Sequence, residues 1–273
     1  MTPPMTCVTR PAFPATKLIR TMFQRMLASA LFAGIGAGLI AALLHFAFVQ
    51  NVLLLAEQYE TGAIVHFGAA GSQPADLSDG ADGAAATQPA DAEHPLGHAP
   101  AATSDTSTFE RNALTVVFTV IVYVAYGFLL VAGFGIAEAF GHKIGPQQGL
   151  LWGVAGFAVF QLAPALGLAP ELPGTLAADL GLRQIWWWMT VACTGTGLAL
   201  LAFGGHWVAL VLAAAFLALP HLIGSPEVEG FHGLAPSELG AMFSARTLGM
   251  AATGWAFLGW AAGTAWEHEG NRT

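Results

Sequence analysis

Gly149–Gly174 reads GLLWGVAGFAVFQLAPALGLAPELPG, and this stretch decides the fold. Leu150 to Leu162 is apolar except for one amide, Gln161. Pro164, Pro170 and Pro173 then arrive close together, with Glu171 between the last two. A proline removes a backbone donor and clashes with the preceding turn. Backbone groups freed in this way survive at membrane depth only inside protein or against water. The stretch therefore reads as a membrane helix that breaks into a polar mouth, which is where transporters place their binding sites.

The chain around it has the composition of a membrane protein. Of 273 residues, 55% are hydrophobic and only 10% charged, with a mean hydropathy of +0.60. Apolar runs near twenty residues long are candidate spans. Six occur, over 26–49, 113–137, 150–168, 185–203, 207–223 and 247–266. The fold class that follows is an all-α integral membrane protein, a polytopic bundle of about six transmembrane helices with proline-broken segments. The fifth run is short and has Pro220 near its end, so five spans plus a re-entrant piece fit as well. The first run is longer than a signal-peptide core and no small-residue cleavage site follows it, so it reads as a retained span. Cys7 and Cys193 have no metal-motif spacing. Nine Lys and Arg residues, widely scattered, exclude a nucleic-acid surface.

Charge sets the expected orientation. Arg10, Lys17, Arg20 and Arg25 precede the first span and place the N-terminus in the cytoplasm. Threading six spans from there leaves residues 1–25 and 267–273 as cytoplasmic tails, and it puts most of the acids outside. Trp152, Trp207 and Trp266 fall at inner boundaries and Trp186 to Trp188 at an outer one, as interfacial belts do. The net charge of −8 is then mainly an outward acidic surface, which concentrates cations. The outer segment 68–108 is Ala, Gly, Ser, Thr, Asp and Pro with almost nothing large and apolar, and is expected to be disordered. Within it, Asp91, Glu93, His94 and His98 read as a solvated linker or a loose collector of metal.

The candidate metal contacts lie on or near the outer side. Glu57 and Glu60 follow the first span in the box AEQYE. His45 continues a small-residue face, Gly34, Ala37, Gly38, Ala41 and Ala42, that lets helices approach closely. It reads either as a histidine hydrogen-bonded to a neighbouring helix or as a ligand or relay. Gln161 and Glu171 belong to the opening stretch, and Asp179 stands before the fourth span. An Asp179–Arg183 pair capping that span is the structural alternative for those two. His221 follows Pro220 in what looks like a second helix break, and His232 lies in the next loop. Imidazole and carboxylate suit Co, Ni and Zn alike.

Gly149–Gly174, together with ADLGLRQIWW at Ala178–Trp187, LPHLIGSP at Leu219–Pro226 and the AEQYE box, resembles the CbtA family of predicted cobalt transporter subunits. The resemblance spans Leu18 to Trp266 apart from the Gly68–Thr108 insert. It implies a bacterial inner-membrane protein that imports Co2+ for cobalamin supply beside a small single-span, histidine-bearing CbtB-type subunit. It brings no ligand set with it. The Ala-rich loop here carries only scattered histidines.

Two other classes compete with a permease. A membrane-embedded enzyme would need an HExxH-like pair or a nucleophile with its base. Neither is in the sequence, so the chain reads as no enzyme and needs no resident cofactor, the metal being cargo. A scaffold or sensor subunit that binds metal without passing it also fits.

Overall fold

A computed structural model describes residues 15–64, 107–228 and 233–272, with side chains from Met22 onward. His66, Cys7, His232 and nearly all of the segment expected to be disordered lie outside the described residues. Within them the chain is helical, with one isolated antiparallel bridge between Thr175 and Gly233 and no other extended pairing.

Helix α1 (Ala15–Leu44) runs through a π-helical turn (His45–Val49) directly into α2 (Gln50–Glu60). At ~1.5 Å per residue this rod is roughly 70 Å long, more than a bilayer core needs. Helix α3 (Thr108–Ala139) returns antiparallel. It starts at a capping box in which the Glu110 amide donates to Ser107 Oγ and the Ser107 amide to the Glu110 carboxylate. Helix α4 (Pro146–Phe157) opens with proline in its first turn, where no donor is missed, and the Gly145 amide donates to the Gln148 side chain. A second π-helical turn (Ala158–Leu162) and the short α5 (Ala163–Ala165) follow. Helices α6 (Leu180–Phe203) and α7 (Trp207–Ile223) form an antiparallel hairpin, and α8 (Ser237–Gly270) closes the chain.

Among the described residues, four helical stretches are long and apolar enough to cross a membrane: Met22–Glu60, Thr108–Ala139, Pro146–Ala165 and Leu180–Phe203. The α7 helix is apolar but shorter. α8 is longer than most, yet its Gly, Thr and Trp content keeps it out of that set. It is the central helix. Trp255, Leu258, Ala261, Ala262 and Trp266 are all at most 2% exposed, packed among α1, α3 and α4.

Small residues decide how close the helices come. A Cβ on Gly149 or Gly153 would overlap the carbonyl of Gly259 or Trp255, and one on Gly259 would overlap that of Gly149. The α4–α8 seam is therefore backbone on backbone, where van der Waals contact supplies the attraction that lipid does not. On the other side of the body, α1 brings Gly34 and Gly38 against the Val124 and Val120 backbone of α3, and Gly127 of α3 lies against the Ala30 carbonyl. Helices α1, α3, α4 and α8 thus form one tightly packed body. The α6–α7 hairpin lies beside it and meets α4 through the π turn and α5.

At the end of the bundle where α1 begins, an ion pair ties three of these helices together. Arg25 donates from both terminal nitrogens to the Glu138 carboxylate, at 2.8 and 2.9 Å, and from Nε to the Trp266 carbonyl at 2.8 Å. Its guanidinium also lies 4.0 Å from the Trp266 ring centroid, and the Trp266 indole donates to Glu138 at 2.8 Å. A planar cation satisfied on one edge by a carboxylate and on its face by an indole suits arginine rather than lysine.

One expected break is absent. α7 continues as helix through Pro220 to Ile223, and the Pro220 carbonyl accepts from the Trp186 indole at 3.2 Å. That bond locks the hairpin at the proline instead of opening it.

Candidate functional site

The break after Gln161 is real, and its geometry follows from Pro164. In α register Pro164 would have to donate to the Phe160 carbonyl, and in π register to the Val159 carbonyl. It has no amide, so one of these two carbonyls lacks an in-helix donor. The helix widens into a π turn at that point, closed by the Ala163 amide donating to the Ala158 carbonyl. π turns of this kind cluster at functional positions.

After α5 the chain loops across the end of the bundle. Leu172 is buried there among Val52, Ala56 and Leu239, and Ser244 Oγ donates to the Pro170 carbonyl at 2.6 Å. Gly174, with φ of +77°, makes the turn beside the Glu60 side-chain methylenes. The proline-rich mouth is thus a pinned structure. Between it, the π turn and the start of α6 lies a cleft of about 590 Å³, whose lining includes Gln161, Pro164, Glu171, Arg183 and Trp187.

Phe160 forms part of the wall of this cleft and also of a second cavity of about 710 Å³ between α3, α4 and α6. Its ring stacks on Trp255, with centroids 5.8 Å apart and planes 4° from parallel. Tyr126 and Trp187 complete the cluster at 5.8 and 6.3 Å. Four aromatic rings therefore stand as a partition between the cleft and the second cavity. The Trp255 indole nitrogen within this partition is buried and has no hydrogen-bond partner.

The candidate metal contacts are dispersed. Gln161 and Glu171 share the cleft, but Glu171 accepts from Arg183 at 3.0 Å. Glu57 lies 3.7 Å from Arg111. Asp179 is the N-cap of α6, accepting from the Leu182 amide at 3.0 Å. Because that carboxylate is turned to the helix end, Arg183 reaches across the loop to Glu171, and the Asp179–Arg183 side-chain pair expected from their spacing does not form. His221 sits edge-on to Trp186, 6.2 Å between ring centroids. His45 occupies the first π turn, edge-on to Phe46. Arg246 donates to the Phe48 carbonyl in that same turn at 2.8 Å. Among the described residues, no three of His, Cys, Asp and Glu come together in a way that would hold an ion.

Residues 23–267 match the family described as "Probable cobalt transporter subunit (CbtA)". The chain belongs to the CbtA family. That match covers nearly the whole chain and takes in both cavities, the aromatic partition and the Arg25–Glu138 pair. No curated protein and no solved structure matches it. This CbtA chain is thus a multi-pass helical membrane protein of a cobalt transporter-subunit family, described by transport and not by catalysis.

Proposed function

We propose that this chain is the membrane-embedded subunit of a bacterial inner-membrane Co2+ importer that supplies cobalamin synthesis. Its N-terminus lies in the cytoplasm, and it works beside a small single-span, histidine-bearing CbtB-type subunit. The observation that carries the reading is the cleft at the broken end of α4. It brings the Gln161 amide and the Glu171 carboxylate to one polar mouth.

Cation capture on this reading is an exchange of partners. Glu171 and Glu57 are held by Arg183 and Arg111 until an ion arrives. A dication competes with a single guanidinium for each carboxylate, and the acidic outer surface raises its local concentration. Once Arg183 swings away, Glu171 offers its oxygens at the mouth, and Gln161 offers a neutral amide oxygen deeper in. The aromatic partition closes the cleft toward the cytoplasm, so the conformation on this reading is occluded on the inner side. Alternating access needs such a closed face.

The test is uptake of radiolabelled Co2+ by cells lacking their own cobalt importers, with the chain expressed alone and with its small partner. Uptake that drops at least tenfold in Gln161→Leu/Glu171→Gln supports the cleft as the route. Unchanged uptake in that variant removes the cleft from the mechanism. The dispersed ligands favour one second reading, a scaffold that presents metal to a partner subunit. Correct insertion without uptake in either strain selects it.

A further inference from the structure

The second cavity is a poor path for a hydrated cation and has the chemistry of another ligand. Its walls are apolar, with Leu129, Leu151, Leu198 and Ala199 among them. It opens sideways: Leu129, Leu151 and Phe203 on its rim are 55%, 69% and 53% exposed, on helices whose outer surfaces face hydrocarbon. Its far end, toward the end of the bundle where Arg25 lies, carries His142, Lys143 and Gln148. Lys143 forms no ion pair with any described residue. Gln148 uses its oxygen to accept from Gly145 at 3.2 Å, which leaves its amide hydrogens to donate. The same end holds the start of α4, whose dipole favours an anion. Two carboxylates stand nearby. Glu138 is taken by Arg25, and Glu267 packs beside Gly145.

We propose that this cavity binds one anionic phospholipid, its acyl chain between α3, α4 and α6 and its phosphate at Lys143, His142 and Gln148. A cavity of about 710 Å³ is within the usual range for a small-molecule site. Basic pockets between membrane helices at headgroup level are known recognition features for acidic lipids. The bound chain fills the space that separates the inner half of α6 from α4, so it props the α6–α7 hairpin in the position described. The site requires only that the chain be embedded in a bilayer and stands apart from the transport reading.

Two tryptophans make it measurable. Trp152 and Trp255 both line the cavity, and bromine on an acyl chain quenches indoles that it touches. The full chain is reconstituted into phosphatidylcholine nanodiscs and titrated with brominated phosphatidylglycerol. The fraction of quenching that disappears in Trp152→Phe reports the site. Phosphatidylglycerol is expected to quench this fraction at lower mole fraction than brominated phosphatidylcholine. Lys143→Gln, a change at an exposed loop position, should weaken the preference about fivefold. Ala199→Phe, which fills the chain's path, should abolish the quenching for both headgroups. Soluble glycerol phosphate should not compete. Equal quenching by the two headgroups, or a preference unmoved by Lys143→Gln, overturns the proposal. So does quenching that survives Ala199→Phe, or a cavity shielded from lipid by a helix of another subunit.

Discussion

Removing one partner of the Arg25–Glu138 pair should cost far more than removing both. The Arg25 side chain is 13% exposed and that of Glu138 29%, so neither charge has much water to fall back on. Breaking a buried pair from one side typically costs ~3–5 kcal/mol, and the partial exposure puts this one near ~3 kcal/mol. Arg25→Leu would strand the Glu138 carboxylate against the Trp266 indole. Glu138→Leu would strand a guanidinium whose remaining contacts include the Trp266 carbonyl and ring. In Arg25→Leu/Glu138→Leu neither charge remains. What is lost is the partner of the Trp266 indole and of its carbonyl, at about 1 kcal/mol each. The double variant should therefore be more stable than either single one, with a coupling energy of about 4 kcal/mol. Unfolding in mixed micelles, followed by tryptophan fluorescence, measures all four corners of the cycle. Single variants whose costs add to within ~0.5 kcal/mol would refute the pairing, because independent sites behave that way.

Four further outcomes follow from the seams and the mouth. Gly259→Ala should destabilise by about 2 kcal/mol net, since its methyl would overlap the Gly149 carbonyl while helix propensity returns about 1 kcal/mol. Gly135→Ala on α3, where an added Cβ meets nothing within 4 Å, should be neutral or stabilising by up to about 1 kcal/mol, and the same unfolding assay reads both. Arg183→Gln should free Glu171 and lower the KM for Co2+ uptake roughly fivefold, the worth of an exposed pair of ~1 kcal/mol; a KM that is unchanged or higher would show that the arginine does not compete with the ion. Pro164→Ala restores the missing amide, so it should raise stability by about 1–3 kcal/mol while uptake falls, and a variant with unaltered uptake would separate the π turn from function.

Much of the bundle was legible because membrane helices announce themselves by length and apolarity, and close seams by their glycines. The small face at Gly34 and Gly38 does meet a neighbour's backbone, that of α3 at Val124 and Val120. The break at Pro164 was legible for a local reason, a residue without an amide in an apolar run. Pro220 misled because the local rule is not absolute: the helix runs on to Ile223, and the proline's own carbonyl accepts from the Trp186 indole. The site was less legible. Acids counted as ion ligands turn out to be held by Arg111 and Arg183, and those partnerships depend on how loops fold over the end of the bundle. Asp179 went to its helix end, a choice its position just before α6 already offered. The aromatic partition draws Tyr126, Phe160, Trp187 and Trp255 from four segments. No periodicity in any one helix marks residues that meet only across the bundle.

The glycine seam between α4 and α8 also says where this molecule can bend. Side chains at an interface can change rotamer and let helices slide. Two backbones in direct contact have nothing to rearrange, and any shift must lift one rod off the other. The first three turns of α4 are therefore clamped like the base of a cantilever, from Gly145 to about Gly153. Beyond it, the turn that carries Phe160 and Gln161 is held by side chains and loop contacts, which can rearrange. A small swing of that turn moves the cleft's floor while the rest of the bundle stays still.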